Sequence, residues 1–369
     1  MKIGILGFGA MGKTHIYAIK NIPFFFDGSY DVEIMSVCTR SAETAKKASL
    51  RFDIPSYTDN EDDIIYNTEI DTIDICTPNI YHYESAKKSI LAGKNVYCEK
   101  PLAVTYKQAK ELADLANEKN VKCGMVFNNR FLLPIMRAKE LISNGSLGKI
   151  LSFNVRYLHS SALDTCKKAG WKQDKDICGG GVLFDLGSHA VDLIYYLCGE
   201  FKSVIGKSQI AYSERIGVNG EKWQTNADEA FYMIATLKCG AYGTLEVSKI
   251  TTGANDDLTL EIHGERGSIR FNLMDPNFLE YYSTEDGSQR GYTKIECVNR
   301  YPYPSGIFPG IKAPVGWLRG HIGNYFNFID GVINNKEIHP SFSDGAYVQA
   351  VLEGAYLSDQ KGGEVEICL

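Results

Sequence analysis

Residues 179–199, GGGVLFDLGSHAVDLIYYLCG, place Asp185 and His189 four positions apart, behind three consecutive glycines. Within a helix that spacing puts both side chains on one face. Together they can handle a proton: histidine titrates near neutrality, and a carboxylate can orient it or its ligand. Ala190, Leu193, Ile194 and Leu197 follow at helical spacing, and Gly199 suits the helix end. Two readings fit this pattern. In one, Asp185 caps the helix and His189 is a satisfied, partly buried residue. In the other, the pair faces a bound ligand, and the glycines leave room for loop and substrate.

A second group with chemical potential is the segment AGKNVYCEKPLA, which sets Glu99, Lys100 and Pro101 at the carboxyl end of an apolar strand. Ligands of open α/β sheets bind along that edge. Pro101 removes a backbone donor and pushes Lys100 toward extended geometry, so the strand stops there. Lys100 either points its ammonium into the cleft or is solvated before a turn. A third group is GFGAMG, residues Gly7, Phe8, Gly9, Ala10, Met11 and Gly12, between a strand and a helix. Gly7 permits the tight turn, Gly9 lets backbone approach a pyrophosphate, and Gly12 allows close helix–strand packing. The expected cofactor is NAD or NADP. The next strand ends in Thr39 and Arg40 rather than in an acid, which leans toward NADP.

Positioning these groups requires two kinds of architecture. Up to about residue 127, short β-branched runs (KIGILG, VEIMSVCT, TIDICTP, NVYCEKP, VKCGMVFN) alternate with helical patterns. Such alternation predicts an α/β Rossmann domain, a doubly wound parallel sheet, over residues 1–127. Residues 128–369 read as a C-terminal α+β domain. Helix 134–144 and the strand KILSFNVRYLH precede the opening segment, and a large, mostly antiparallel open sheet follows it, with Gly240, Gly243, Gly264 and Gly267 at turns. Residues 301–316, rich in Pro and Gly, read as an irregular loop before two final helices and a closing strand.

Composition excludes several function classes. The net charge of −6 and pI near 5.7 argue against a nucleic-acid partner. No run of 18 apolar residues occurs, so no membrane span is expected. The ten cysteines are scattered singly, without CxxC or a Cys/His cluster at metal spacing. A reduced, cytoplasmic protein without a bound metal is the expectation.

Together, GFGAMG, CTPNIYHYESAKKSILAGKNVYCEKPLA, NNRFLLPIMRAKELISNGSLGKI, the opening segment and HPSFSDGAYVQAVLEGAYLS resemble the Gfo/Idh/MocA family of oxidoreductases over essentially the whole chain. The resemblance implies an NAD(P)-dependent dehydrogenase with a sugar or cyclitol substrate, and a homodimer or homotetramer formed through the C-terminal sheet. It assigns Lys100, Asp185 and His189 to catalysis. Thr77, Pro78, Asn79 and His82 then border the cofactor, as does Glu99. With Lys100 and a nicotinamide expected across the same cleft, the functional reading of the opening pair is preferred over the cap. His189 is the expected base, Asp185 orients it or the substrate, and Lys100 donates a hydrogen bond to the reacting oxygen. Arg130, Arg156, Tyr157 and Trp171 are further candidates for touching substrate. Trp317, Arg319, His321 and Tyr325 are expected to pack. The segment NIPFFFDGSYD reads as an insertion that lengthens the first crossover. A nucleotide-sensing regulator without catalysis, or a glycosidase using bound NAD, would fit the same fold.

Overall fold

The short apolar runs form the strands expected of them in the computed structural model, which describes residues 1–26, 30–217, 219–298 and 316–369. The expected loop at 301–316 lies outside the described residues except for Gly316. Strands β1 (Lys2–Leu6), β2 (Glu33–Cys38), β3 (Ser56–Thr58), β4 (Thr72–Ile75), β5 (Asn95–Cys98) and β6 (Cys123–Met125) make a six-stranded sheet in the order β3-β2-β1-β4-β5-β6. Every pairing is parallel. Helices α1 (Ala10–Phe25), α2 (Ala42–Phe52), the single turn α3 (Asp62–Ile65), α4 (His82–Leu91) and α5 (Tyr106–Lys119) lie between them in sequence. Ser41 and Thr105 cap α2 and α5, each accepting a backbone N–H three residues on. Strand order reverses between β1 and β4, so the ligand crevice of this fold opens at their carboxyl ends. β3 was not expected: it has three residues, mostly exposed at the sheet edge, and lacks the apolar run that betrays a buried strand.

The chain does not divide at one point. Met1–Asn128 and Leu318–Ala346 form one compact unit, and the described residues among 129–298, 316–317 and 347–369 form the other. The expected second domain, 128–369, is therefore interrupted by a return to the first. The cause is α9 (Trp317–Ile333), whose Ile322, Tyr325, Phe326, Phe328 and Ile329 join the core built on Ile3, Ile5, Val37 and Tyr97. The inserted-looking segment packs on the same helix. Phe26 stacks on Phe326 with ring centroids 3.7 Å apart, and the Tyr30 hydroxyl donates to Asp330. Its Asp27, Gly28 and Ser29 are outside the described residues.

In the second unit, β7 (Ile150–Leu158) pairs with later strands. These are β8 (Phe201–Gln209), β11 (Ala230–Leu237), β12 (Tyr242–Ser248), β13 (Asp257–Gly264), β14 (Gly267–Asn272), β15 (Phe278–Ser283), β16 (Thr293–Glu296) and β17 (Val365–Glu366), while β9 (Glu214–Ile216) and β10 (Lys222–Gln224) form a separate hairpin. The nine-stranded order is β16-β15-β14-β13-β7-β12-β11-β8-β17, and only β12–β7 is parallel. Gly243 lies inside β12 rather than at a turn, where a Cβ would run into the Phe153 ring at 2.4 Å. The helical layer comprises α6 (Leu133–Ser143), α7 (Lys175–Cys178), a π turn (Leu183–Gly187), α8 (Ser188–Cys198) and most of α10 (Phe342–Lys361). The stretch Lys175–Cys198 has membrane-spanning length and mean hydropathy without an unbroken run of 18 apolar residues, and 83% of its apolar window is buried within the fold. It is a core element, apolar because it is enclosed.

Candidate active site

In the first unit, β1 delivers the chain into Gly7 at φ +90°, a conformation glycine adopts without strain. A Cβ on Gly7 would sit 2.7 Å from the Cys76 carbonyl, and one on Gly12 would sit 2.8 Å from the Gly7 oxygen. A Cβ on Gly9 would meet nothing within 4 Å. The turn is thus tight toward the protein and open on its outer side. Gly9 begins α1 with no side-chain cap and no acid in the first turn, so the helix end is left to an anion. Beside it, the buried Thr77 Oγ1 has no hydrogen-bond partner among the described residues. Phe8 packs edge-on against Phe52, while Ala10 is exposed and Met11 partly so. These residues fit a dinucleotide phosphate.

Two other expected cofactor residues turn inward. His82 is fully buried, with its ring nitrogens 2.8 Å from the Pro101 and Thr77 carbonyls. Burial pushes its pKa down against the pull of those carbonyls. It ties the segment after β4, carrying Thr77, Pro78 and the buried Asn79, to the segment after β5. Glu99 is also buried: its Oε2 accepts the Lys100 N–H at 3.1 Å, and its Oε1 lies 3.3 Å from His15 Nε2. Lys100 itself is half-buried at the carboxyl end of β5.

Beneath the turn lies a polar group absent from the sequence reading. His15 donates from Nδ1 to Asp74 at 2.9 Å, and the Cys76 sulfur is 3.1 Å from the same nitrogen. The Tyr325 hydroxyl donates to Asp74 Oδ2 at 3.0 Å. Burial opposes charge on His15, but Asp74 and then Cys76 outweigh it and hold the imidazole protonated well above its ordinary range. Burial likewise opposes charge on Glu99, yet His15 and Lys100 pull its carboxyl down to about 2. The usable signal was Asp74, a lone acid inside the apolar run TIDIC, which needs a buried partner. Tyr325, expected to pack, is both packed and part of this network, and Arg319 lies over the Phe25 and Phe26 rings.

In the second unit, Asp185 is not a helix cap: its N–H already donates to the Gly181 carbonyl, inside the π turn. Such turns are rare within α-helices and occur often at functional sites. Lys172 Nζ reaches Asp185 at 2.9 Å and Lys249 Nζ at 2.8 Å. Lys249 directly follows β12, and its side chain is 12% exposed, so the pair is only partly screened. His189 follows on α8, half-buried, edge-on to Tyr157 at 6.2 Å between centroids. The Tyr157 hydroxyl donates to Asp256 Oδ1 at 2.7 Å, and His159 Nε2 is 2.8 Å from the same oxygen. Burial opposes charge on Asp256, but those two donors lower its pKa. Burial followed by Asp256 pushes the Tyr157 phenol up. The second unit therefore gathers Lys172, Asp185, His189, Lys249, Tyr157, His159 and Asp256.

Two of the three glycines, Gly180 and Gly181, are required by the protein's own packing. A Cβ on Gly181 would lie 2.2 Å from the Asp228 carbonyl, and one on Gly180 would strike Phe184 and the Tyr356 hydroxyl. Asp228 accepts the Gly181 and Leu183 N–H groups and the Tyr356 hydroxyl, clamping the bend ahead of Asp185. Trp171 sits next to Lys172 in a short 3-10 turn, half-buried, with the Lys172 ammonium 5.6 Å from its ring. Two candidates are placed elsewhere. Arg130 is 5% exposed and donates from Nε and Nη2 to Asp192, stacked over Tyr196. Its guanidinium is committed to the interior. Arg156 pairs with Glu246 on the opposite face of β7 from Tyr157, as alternation along a strand dictates. Thr39 Oγ1 donates to the Ser41 carbonyl, and Arg40 is exposed.

Comparison with known proteins bears on both units. The model of an oxidoreductase family's NAD-binding Rossmann fold matches residues 1–127, and that of its C-terminal alpha/beta domain matches residues 139–367. The chain is 30% identical to levoglucosan dehydrogenase of Pseudarthrobacter phenanthrenivorans, over 100% of its own length and 98% of the relative's. It is 30% identical to D-glucoside 3-dehydrogenase of Escherichia coli, covering 100% and 97%. It is 27% identical to glucose-6-phosphate 3-dehydrogenase of Bacillus subtilis, covering 99% and 98%. A levoglucosan dehydrogenase structure in complex with NADH and levoglucosan superimposes with a TM-score of 0.96 at 30% identity, covering 100% of this chain and 99% of that one.

Proposed function

Because this chain belongs to the Gfo/Idh/MocA family of oxidoreductases, as an NAD(P)-dependent dehydrogenase acting on CH–OH groups, we propose that it oxidises the C3 hydroxyl of a hexopyranose or glucoside. The carrying observation is Asp185 held by Lys172 and Lys249, one turn ahead of His189. Position 3 is supported by the names of two relatives, a glucoside 3-dehydrogenase and a glucose-6-phosphate 3-dehydrogenase. The Gly7–Gly12 turn, the α1 N-terminus and Thr77 would hold the dinucleotide, which when bound supplies a nicotinamide ring that accepts a hydride. His189 takes the hydroxyl proton as general base. Asp185, held by Lys172 and Lys249, orients His189 or a sugar hydroxyl. Lys100 donates to the reacting oxygen and stabilises its alkoxide character.

The test is a panel of methyl glucosides, levoglucosan, glucose, glucose 6-phosphate and myo-inositol, each with NAD and with NADP, followed by absorbance of the reduced cofactor. Glucosides are expected to react and their 3-deoxy analogues not. Reaction of 3-deoxy analogues at an undiminished rate would overturn the C3 assignment.

For the cofactor we propose NAD. Thr39 and Arg40 by themselves favoured NADP, but the end of β3, next to the end of β2, is followed by acidic Asp59, Glu61 and Asp63. Burial first, and then Glu61, Asp59 and Asp63, push the Cys38 thiol up to about 11, and carboxylates so placed would disfavour a 2′-phosphate. The similar levoglucosan dehydrogenase structure holds NADH, which supports the same reading. The expected result is a higher kcat/KM with NAD, little changed by Arg40→Ala; a higher value with NADP would reverse the assignment.

We also propose that copies of the chain associate through the open sheet face and that the protein works in the reducing cytoplasm, an environment that suits ten cysteines scattered singly without a disulfide spacing pattern. Ile205 and Ile234 are directly opposed on that face, with Tyr232 and Tyr242 beside them, all exposed in the single chain. Light scattering is expected to report a dimer or tetramer, and Ile234→Lys a smaller species. A monomeric parent chain would dismiss this interface.

A further inference from the structure

We propose that His15 Nδ1, Asp74 Oδ1 and Cys76 Sγ form a binding site for zinc or a similarly thiophilic divalent cation, pinning α1 to β4 beneath the phosphate-binding turn. The three atoms lie within 4.8 Å of one another. The nitrogen–oxygen, nitrogen–sulfur and oxygen–sulfur separations are 2.9, 3.1 and 3.5 Å. A point equidistant from three such atoms is about 1.9 Å from each, so an ion slightly out of their plane reaches zinc distances of about 2.0–2.3 Å. The donor set is one imidazole, one carboxylate and one thiolate. That combination selects zinc or cadmium over magnesium or calcium, which require oxygen cages.

The surroundings supply outer-shell partners for these ligands. A metal-bound imidazole presents its other nitrogen to a carboxylate, and His15 Nε2 faces Glu99 Oε1, a buried oxygen with no hydrogen-bond partner among the described residues. The bound carboxylate is also held, by the Tyr325 hydroxyl on Asp74 Oδ2. Ligation requires an unprotonated Nδ1 and a thiolate, so binding would release protons to solvent. Cys76 is the partly exposed member, so entry is from its side. Since His15 and Cys76 are 61 residues apart, the site could not show as local metal spacing.

The test uses the full chain with the exposed Cys166, Cys239 and Cys368 changed to serine, titrated with cadmium chloride while the ultraviolet sulfur-to-cadmium absorption is followed. One cadmium per chain is expected to saturate the band, zinc chloride to displace it, and either metal to raise the melting temperature. Cys76→Ser should abolish both band and stabilisation, and Glu99→Gln should weaken binding about 10–100-fold. Absence of the band, or a band retained in Cys76→Ser, would overturn the site and leave a hydrogen-bonded trio only. Should Cys76→Ser not fold, Asp74→Asn replaces it, and unchanged cadmium affinity there is equally decisive. The readout needs no sugar, so it is independent of the C3 assignment.

Discussion

Replacing His189 with alanine is expected to lower kcat by about 10²–10⁴-fold, the usual contribution of a positioned general base, with little change in melting temperature. An unchanged melting temperature separates the two readings that the spacing of Asp185 and His189 leaves open. A histidine present only to pack would do the reverse: its removal would open a cavity and lower stability while sparing kcat. His189 is half-buried, edge-on to Tyr157, and the carboxylate preceding it is inside the helical turn rather than capping it. Asp185→Asn should produce a comparable kcat loss through a different cause, because Lys172 and Lys249 would lose the charge they face. Steady-state kinetics on the glucoside that reacts in the panel, alongside thermal melts of both variants, checks the pair. Unchanged kcat in His189→Ala would remove that residue from the chemistry.

The parts of the molecule readable from sequence are those encoded locally. GFGAMG and the β-branched runs define the parallel sheet because parallel strands must be apolar on both faces. Helices α5 and α8 show in their apolar spacing. What was not readable depends on partners distant in the chain. The return of α9 to the first core hinges on Tyr325 and Phe328 meeting Tyr97, more than 200 residues earlier, and no local pattern reports that. The same holds for Lys172 and Lys249 on Asp185, and for Asp256 under Tyr157 and His159. Arg156 is a different case. In ILSFNVRYL the inward residues are Phe153, Val155 and Tyr157, so the period of two already sent Arg156 to the opposite face. His82 and Glu99 lie in the expected segments but point into the protein, and segment-level resemblance carries no information about side-chain direction.

Arg130 provides the sharpest test of side-chain direction, and Asp192→Ala is expected to destabilise the protein by about 3–5 kcal/mol. The two side chains are 5% and 1% exposed, joined by Arg130 Nε and Nη2 donating to one carboxylate. Deleting Asp192 leaves a buried guanidinium without this counter-charge, 5.9 and 4.9 Å from the Tyr195 and Tyr196 ring centroids. The penalty belongs to the orphaned charge rather than to the pair. Arg130→Met together with Asp192→Leu, which removes both charges and keeps volume, should therefore recover most of the loss. Urea denaturation of the two single variants and the double variant measures the coupling. If Arg130 instead bound substrate, Arg130→Met would raise KM at intact stability, and the double variant would be as inactive as the single. The buried geometry requires the opposite: large stability effects, strong coupling within the pair, and ordinary KM in whatever fraction remains folded.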